Sequence, residues 1–327
     1  KLKTRLLTSL GIVIVLAIAF ILKAFVQDIG NYFFDLLILI IACFASYEAS
    51  KLFSKMGKYN NQILATIFPA FLMIALLLCT AYDSSIGIGY TLVISVALLV
   101  LFFGIAFVWP LTNYNGTKSE IRTRQLDKSI KPVKYALVKA LNTAVVFVYP
   151  AFLLLFLTLI NHFEDMSASF NALAGFNGWV SFFVLLFALL IPIFTDTFAY
   201  LMGGLFEGKK LAPKISPKKT ISGAIGGLLW CVLLIVAVYY ICHSIPSMGT
   251  ILDGAGISVW KVIIIAFIGS IISQVGDLFE SYLKRSAGVK DSGKLLPGHG
   301  GMLDRFDSYI FVAPYIFIAF SILFIVL

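Results

Sequence analysis

Long apolar runs separated by short polar connectors dominate this chain. A bilayer core about 30 Å thick takes roughly 20 apolar residues per helical span, and about nine stretches are long enough. They cover residues 6–26, 29–47, 63–82, 86–109, 137–160, 179–202, 221–242, 257–275 and 309–327. The pattern predicts an all-α, polytopic integral membrane protein with about nine transmembrane helices. Residues 6–26 lack a small-residue cleavage site of the secretory type, so they read as a span.

The cations orient these spans, because Lys and Arg beside a span are retained in the cytoplasm. With the N-terminus inside, every Lys and Arg of the 25 falls in a cytoplasmic segment except Lys23 and Lys261. The expected topology therefore has a cytoplasmic N-terminus and a C-terminus outside. Composition agrees with a life in lipid: 60% of residues are hydrophobic, only 13% are charged, and the mean hydropathy is +0.99. The formal charge of +9 does not argue for nucleic acid, since the cations are spread along one membrane face rather than along one helix or arm. Cys43, Cys79, Cys231 and Cys242 lie in or at the ends of spans without paired spacing, which speaks against a disulfide or zinc framework. The long connector from Asn113 mixes both charges with Ile, Leu, Val and Tyr; it suits an interfacial amphipathic segment broken near Pro132 or a solvated linker. His162 and His243 read as plain residues at the outer ends of spans, and Asp35 and Glu48 as span-end acids needing no explanation.

The remaining acids are more informative, because a carboxylate near hydrocarbon must be paired, metal-bound or facing water. Asp196, Asp277, Glu280, Asp291, Asp304 and Asp307 gather at the cytoplasmic ends of the sixth, eighth and ninth spans. In "IISQVGDLFESYLKR", Ser273, Asp277, Glu280 or Ser281, and Lys284 share one helical face, so a polar stripe enters the membrane boundary. The following loop, "KDSGKLLPGHGGMLDRFD", holds Gly298, His299, Gly300 and Gly301, and residues without a Cβ let backbone N–H groups approach phosphate oxygens. Lys284, Arg285, Lys290, Lys294 and Arg305 flank it for anionic oxygens, and Asp277 and Asp304 suit Mg²⁺ as hard ligands. Such a set fits phosphoryl or nucleotidyl transfer from a metal-bound nucleotide, and no serine nucleophile with its histidine and acid stands out.

The stretch "SYLKRSAGVKDSGKLLPGHGGMLDRFD" resembles the signature of the phosphatidate cytidylyltransferase, or CDP-diacylglycerol synthase, family. The resemblance rests on Ser281, Lys284, Arg285, Lys290, Asp291, Pro297, His299, Gly300, Gly301, Asp304, Arg305 and Asp307, with "SQVGDLFES", "DTFAYLMGG" and "SPKKT" as further similar stretches. It implies transfer of CMP from CTP to phosphatidic acid, giving CDP-diacylglycerol and pyrophosphate in phospholipid biosynthesis. It also implies metal held at Asp277 and Asp304: Mg²⁺, with room for a second, monovalent cation such as K⁺. The catalytic set expected on this basis is Asp277, Asp304, Asp307, Lys284, Arg285 and Arg305. Substrate contacts are expected from Ser216, Lys219, Thr220, Lys290, Asp291, His299, Gly300, Gly301 and Asp196. Asp307 is left open between third ligand and orienter of Arg305, Asp196 between the metal site and Lys219, and His299 between pyrophosphate and loop shape.

Departures from the family pattern fall on the loop after the sixth span. Where the family pattern commonly runs Gly-Arg-x-Phe-Gly-Lys this chain reads Gly203, Gly204, Leu205, Phe206, Glu207 and Gly208, and Ser222 stands where Glu is common after "SPKKT", so an arginine, a lysine and a carboxylate are missing. Substrate contact on that loop is the property they put in question. Residues 1–136 read as an N-terminal transmembrane region with its cytoplasmic connector, and 137–327 as the catalytic transmembrane region. The expected setting is a multi-pass protein of the cell inner (plasma) membrane, with CTP, phosphatidic acid and the bilayer as partners, no nucleic acid, and a homodimer left open. A secondary transporter and a CTP-dependent lipid kinase are the competing readings. The acids near one membrane face disfavour the first, and release of CDP rather than pyrophosphate would mark the second.

Overall fold

The computed structural model describes residues 14–15, 18–23, 25–82, 88–112, 114–124, 131–163, 179–296, 298 and 300–325. Eleven α-helices carry almost all of the secondary structure among these residues. In chain order they are α1 (Gln27–Lys55), α2 (Gln62–Tyr82), α3 (Ile88–Thr112), α4 (Tyr114–Thr123), α5 (Pro132–Val146), α6 (Phe156–Asn161), α7 (Trp179–Phe206), α8 (Ile221–His243), α9 (Pro246–Gly254), α10 (Val259–Ser286) and α11 (Leu303–Ile325). A π-helical turn at Phe147–Phe152 joins α5 to α6, and the backbone of Tyr149 within it is extended (φ −107°, ψ 113°). Pro150 lacks the N–H that would continue the helix there.

Six segments are long and apolar enough to cross a bilayer: Ile29–Lys55, Pro132–Asn161, Trp179–Phe206, Ile221–His243, Val259–Ser286 and Leu303–Leu323. They match the expected second, fifth, sixth, seventh, eighth and ninth spans. The third and fourth expected spans are helical as well, but their apolar parts are shorter, Gln62–Leu77 and Val96–Val108. Most of the first expected span, 6–26, lies outside the described residues, as does 125–130 of the long connector. The protein is thus an all-α, polytopic membrane protein. Its connector forms α4 before the break, and Pro132 opens α5, where a missing N–H costs nothing.

Helices α7, α8, α10 and α11 pack together, and the contact between α7 and α8 is backbone against backbone. A Cβ on Gly227 would meet the Thr195 carbonyl, and one on Gly223 the Ala199 carbonyl. The turn joining α7 to α8 contains the only two strands among the described residues, which the sequence pattern had not announced. Its strands, β1 (Lys210–Ala212) and β2 (Ser216–Thr220), pair antiparallel with Lys210 opposite Thr220 and Ala212 opposite Ser216. Gly208 enters the hairpin at φ +110°, and Ser222 Oγ donates to the carbonyl of Glu207. The residue that departs from the family pattern is thereby used to close the turn. Thr220 ends β2 and caps α8, its Oγ1 accepting from Gly223 N at 3.1 Å. Thr220→Ala is expected to lower stability by about 1 kcal/mol, read as a lower thermal midpoint in detergent.

A polar cluster in α1, roughly 20 Å from Glu48 at 1.5 Å per residue, corrects the plain reading of Asp35 and His162. Both are buried, and His162 Nε2 is 2.6 Å from Asp35 Oδ2. Asn161 Nδ2 donates to Asp35 Oδ1 at 3.0 Å, and Lys23 Nζ donates to Asn161 Oδ1 at 2.8 Å and to Asn31 Oδ1 at 2.7 Å. The network satisfies charges that lipid could not, and it joins α1 to the end of α6. His243, by contrast, pairs with Asp253 at 3.0 Å on an exposed surface.

Candidate active site

If the apolar slab occupies the first ~20 residues of α7 and of α10, Asp196 and Asp277 fall within a turn of its boundary. Helix α11 begins beside them and brings Asp304 and Asp307 in its first two turns. Gly276 permits this approach, since a Cβ there would press on the Asp307 carbonyl. The carboxylates of Asp196, Asp277 and Asp307 act on one another electrostatically. Like charges placed together in a medium poorer than water repel, and a cation or a retained proton relieves them. Lys219 supplies a cation, its Nζ 2.6 Å from Asp277 Oδ2. Ser308 Oγ donates to Asp196 Oδ2 at 3.2 Å, and Ser308 N to Asp307 Oδ1 at 2.7 Å.

A second group lies one turn further along α10. Lys284 Nζ bridges Glu280, which is fully buried, and Asp304, whose Oδ1 it reaches at 2.7 Å. The other oxygen of Asp304, Oδ2, accepts from Ser292 N at 2.9 Å and Gly301 N at 2.7 Å, and Ser292 Oγ lies 3.0 Å from it. The glycine loop therefore wraps the carboxylate of Asp304, and the N–H of Gly301 serves that carboxylate. Gly300, at φ +89°, has the left-handed backbone this wrap requires, and a Cβ on it would strike Asp304 Oδ2. An antiparallel bridge between Leu296 and Gly300 closes the loop, with Leu296 N donating to Gly300 O at 3.0 Å.

Asp196 and Asp277 open onto a cavity of about 900 Å³ bounded by α7, the hairpin, α8 and α10. Lys210, Lys218, Lys219 and Thr220 line its hairpin side, and Tyr200, Leu201 and Leu211 give it apolar wall. A space with cations and carboxylates at one end and lipid-facing apolar residues beside it suits a molecule with a phosphate head and hydrocarbon tails.

Of the residues singled out in the sequence, the structure brings together Asp196, Lys219, Asp277, Asp307, Lys284, Asp304, Gly300 and Gly301. Others lie around them. Arg285 ties the hairpin and the chain after α10 to its own helix end, Nε donating to Ile215 O at 3.2 Å and Nη1 to Val289 O at 3.3 Å. Ser216 stands at the start of β2 opposite Ala212, and Thr220 is occupied as the α8 cap. Lys290 and Asp291 are exposed on the loop, and Arg305 is exposed on the first turn of α11. His299 and Pro297 lie outside the described residues.

Two residues at the site carried no sequence signal that was used. Glu48 of α1, read as a span-end acid needing no explanation, is instead buried and accepts from the loop. Tyr149, at the break between α5 and α6, is buried against Phe279 and Phe311, and its hydroxyl has no hydrogen-bond partner. That hydroxyl lies in the neighbourhood of the carboxyl groups of Glu280, Asp307, Asp277 and Asp304. Nothing local in an apolar run would have marked it.

The donor set is compatible with Mg²⁺. Among the described residues no three His, Cys, Asp or Glu side chains stand close enough to form a metal cage. Mg²⁺ does not need one, because it commonly takes one or two carboxylates, water and the phosphates of its substrate. Asp277 and Asp304 offer hard oxygens that each hold a lysine ammonium, and Tyr149 Oη, Ser273 Oγ and Glu280 Oε1 are buried nearby without hydrogen-bond partners.

A family model described as the cytidylyltransferase family matches residues 3–323. The phosphatidate cytidylyltransferase of Staphylococcus saprophyticus is 41% identical over 177 residues, which is 50% of this chain and 64% of the relative. That of Staphylococcus haemolyticus is 40% identical over 179 residues, again 50% and 64%. The protein of the same name from Staphylococcus aureus (strain COL) is 44% identical over 130 residues, 40% of this chain and 46% of the relative. The chain thus matches less than two thirds of the length of these relatives.

Proposed function

Because this chain belongs to the cytidylyltransferase family, we propose that it is a phosphatidate cytidylyltransferase, converting CTP and phosphatidic acid to CDP-diacylglycerol and pyrophosphate. The observation that carries the reading is the cavity at the membrane boundary where Lys210, Lys218 and Lys219 meet Asp196 and Asp277. Names of the relatives give the substrate pair, and the exposed apolar residues beside the cavity, Leu201, Leu205, Ile221 and Ile225, support a lipid as one of the two.

In the proposed reaction an oxygen of the phosphatidate phosphate attacks the α-phosphorus of CTP. The bond from that phosphorus to the bridging oxygen breaks, and its electron pair leaves with pyrophosphate. The attacking phosphate is already anionic, so positioning and charge neutralisation supply most of the barrier lowering, and no strong base is required. Lys210 and Lys218 hold phosphate oxygens from the hairpin. Lys219 exchanges its contact with Asp277 for a phosphate oxygen when substrate enters. Asp277 and Asp304 would hold Mg²⁺, and a monovalent cation such as K⁺ belongs to the same proposal; such ions would neutralise triphosphate charge. The hairpin, held by Arg285 and the Thr220 cap, keeps its lysines above the lipid boundary. The reading places the protein in a cell membrane, with the hairpin and the glycine loop on the cytoplasmic face, the N-terminus inside and the C-terminus outside.

Purified protein supplied with Mg²⁺, CTP and phosphatidic acid in mixed micelles is expected to release pyrophosphate and to form a CDP-lipid in equal amounts. EDTA is expected to stop both, and ATP, GTP and UTP to substitute poorly. Release of CDP with a doubly phosphorylated lipid would instead identify a kinase and refute the reading.

A further inference from the structure

Glu48 lies in α1, remote in sequence from every other residue at the site, and only 3% of it is exposed. A carboxylate so far from water requires donors. Its Oε2 accepts from the main-chain N–H of Leu303 at 2.9 Å and from the hydroxyl of Ser292 at 3.0 Å. Leu303 is the first residue of α11, so the carboxylate also rests at the positive end of that helix. The same Ser292 hydroxyl is 3.0 Å from Asp304 Oδ2. A hydroxyl carries one proton and can donate to Glu48 or to Asp304, but not to both at once. The loop is shaped around the Glu48 side chain, because a Cβ on Gly293 or on Gly301 would run into its carboxylate.

We propose that Glu48 is a positioning residue of the transfer site: it fixes residues 291–303 and thereby sets the place of Asp304. It acts through Ser292, Gly301 and Leu303 rather than on substrate. The carboxylate holds the α11 N-terminus and takes the Ser292 hydroxyl, while the N–H groups of Ser292 and Gly301 hold Asp304 Oδ2. Asp304 Oδ1 is left toward Lys284 and the incoming charge. The role as positioning residue rests on the transferase reading above; the fixing of the loop does not.

The test uses the full chain in detergent with Glu48→Gln, Glu48→Ala, Ser292→Ala and the Glu48→Ala/Ser292→Ala double variant. Three quantities are read: hydrogen exchange at 291–303 without substrate, kcat and KM for CTP, and the Mg²⁺ concentration at half-maximal rate. Groups that orient a first ligand typically cost 10–100-fold in activity or metal affinity when removed. Glu48→Ala is expected to speed exchange at 291–303 and leave distant helices unchanged. It is expected to lower kcat by roughly 10–100-fold and raise the Mg²⁺ requirement by about 10-fold. Glu48→Gln, which keeps an acceptor for Leu303, recovers most of both. The double variant is expected to be no worse than Glu48→Ala, since one route carries both effects.

Protection of 291–303 and a Mg²⁺ requirement within about twofold of wild type in Glu48→Ala would overturn the proposal. So would additive losses in the double variant, or failure of the near-isosteric Glu48→Gln to fold, which would make the residue a plain structural cap. A wild type that makes no CDP-lipid, together with the expected exchange pattern, would count against the transferase reading and leave the fixing of the loop standing.

Discussion

Asp277→Asn and Asp304→Asn are each expected to lower CDP-diacylglycerol formation by about 100-fold or more while the protein stays folded. The two substitutions remove the same charge from different surroundings. Asp277 is partly open to the cavity and has Lys219 as its ion-pair partner, so its amide costs little stability and leaves that lysine a freer cation. Asp304 is held by Lys284 at Oδ1 and by the N–H groups of Ser292 and Gly301 at Oδ2, and the single oxygen of an amide can still accept from the two N–H groups. The measurement is the initial rate of pyrophosphate release at saturating CTP, beside the elution volume and thermal midpoint of each variant. Turnover within a few-fold of wild type in both would remove these carboxylates from the mechanism.

Lys284→Met is the substitution expected to cost most stability, about 3–5 kcal/mol, because it leaves the buried carboxylate of Glu280 and one oxygen of Asp304 without their cation. Methionine keeps the apolar stem, which isolates the loss of charge from the loss of packing. Lys284→Met/Glu280→Gln removes both members of the pair, and replacing both is far milder than removing one. The double variant is therefore expected to regain most of the thermal midpoint. Turnover is expected to stay low, because Asp304 still lacks Lys284. A double variant as unstable as the single one would show that Glu280 is not the source of the cost.

The parts of this molecule that were legible in the sequence share a cause: their information is local. Apolar runs of span length announce helices wherever they fall, and Asp277, Glu280, Ser281 and Lys284 declare one face because helical spacing stacks them. The loop of Gly298, Gly300 and Gly301 was read as a cradle whose N–H groups face phosphate oxygens; its described N–H groups at Gly301 and Leu303 serve the carboxylates of Asp304 and Glu48 instead. What escaped reading is long-range. The partners of Glu48 lie 244 and 255 residues away, and the partner of Asp35 in His162 lies 127 away. The hairpin escaped for a different reason. Ser216–Thr220 is five residues with a proline and two lysines, without alternation, and it becomes a strand only because Lys210–Ala212 comes back to pair with it.

The bond from α1 to the start of α11 also bears on how this protein can be dissected. A fragment spanning 137–327 contains the lysines, the aspartates and the glycine loop, yet it lacks the acceptor for Leu303 N and one acceptor for Ser292 Oγ. A 137–327 fragment is therefore expected to regain the order of its 291–303 loop only when residues 1–136 are supplied in the same membrane.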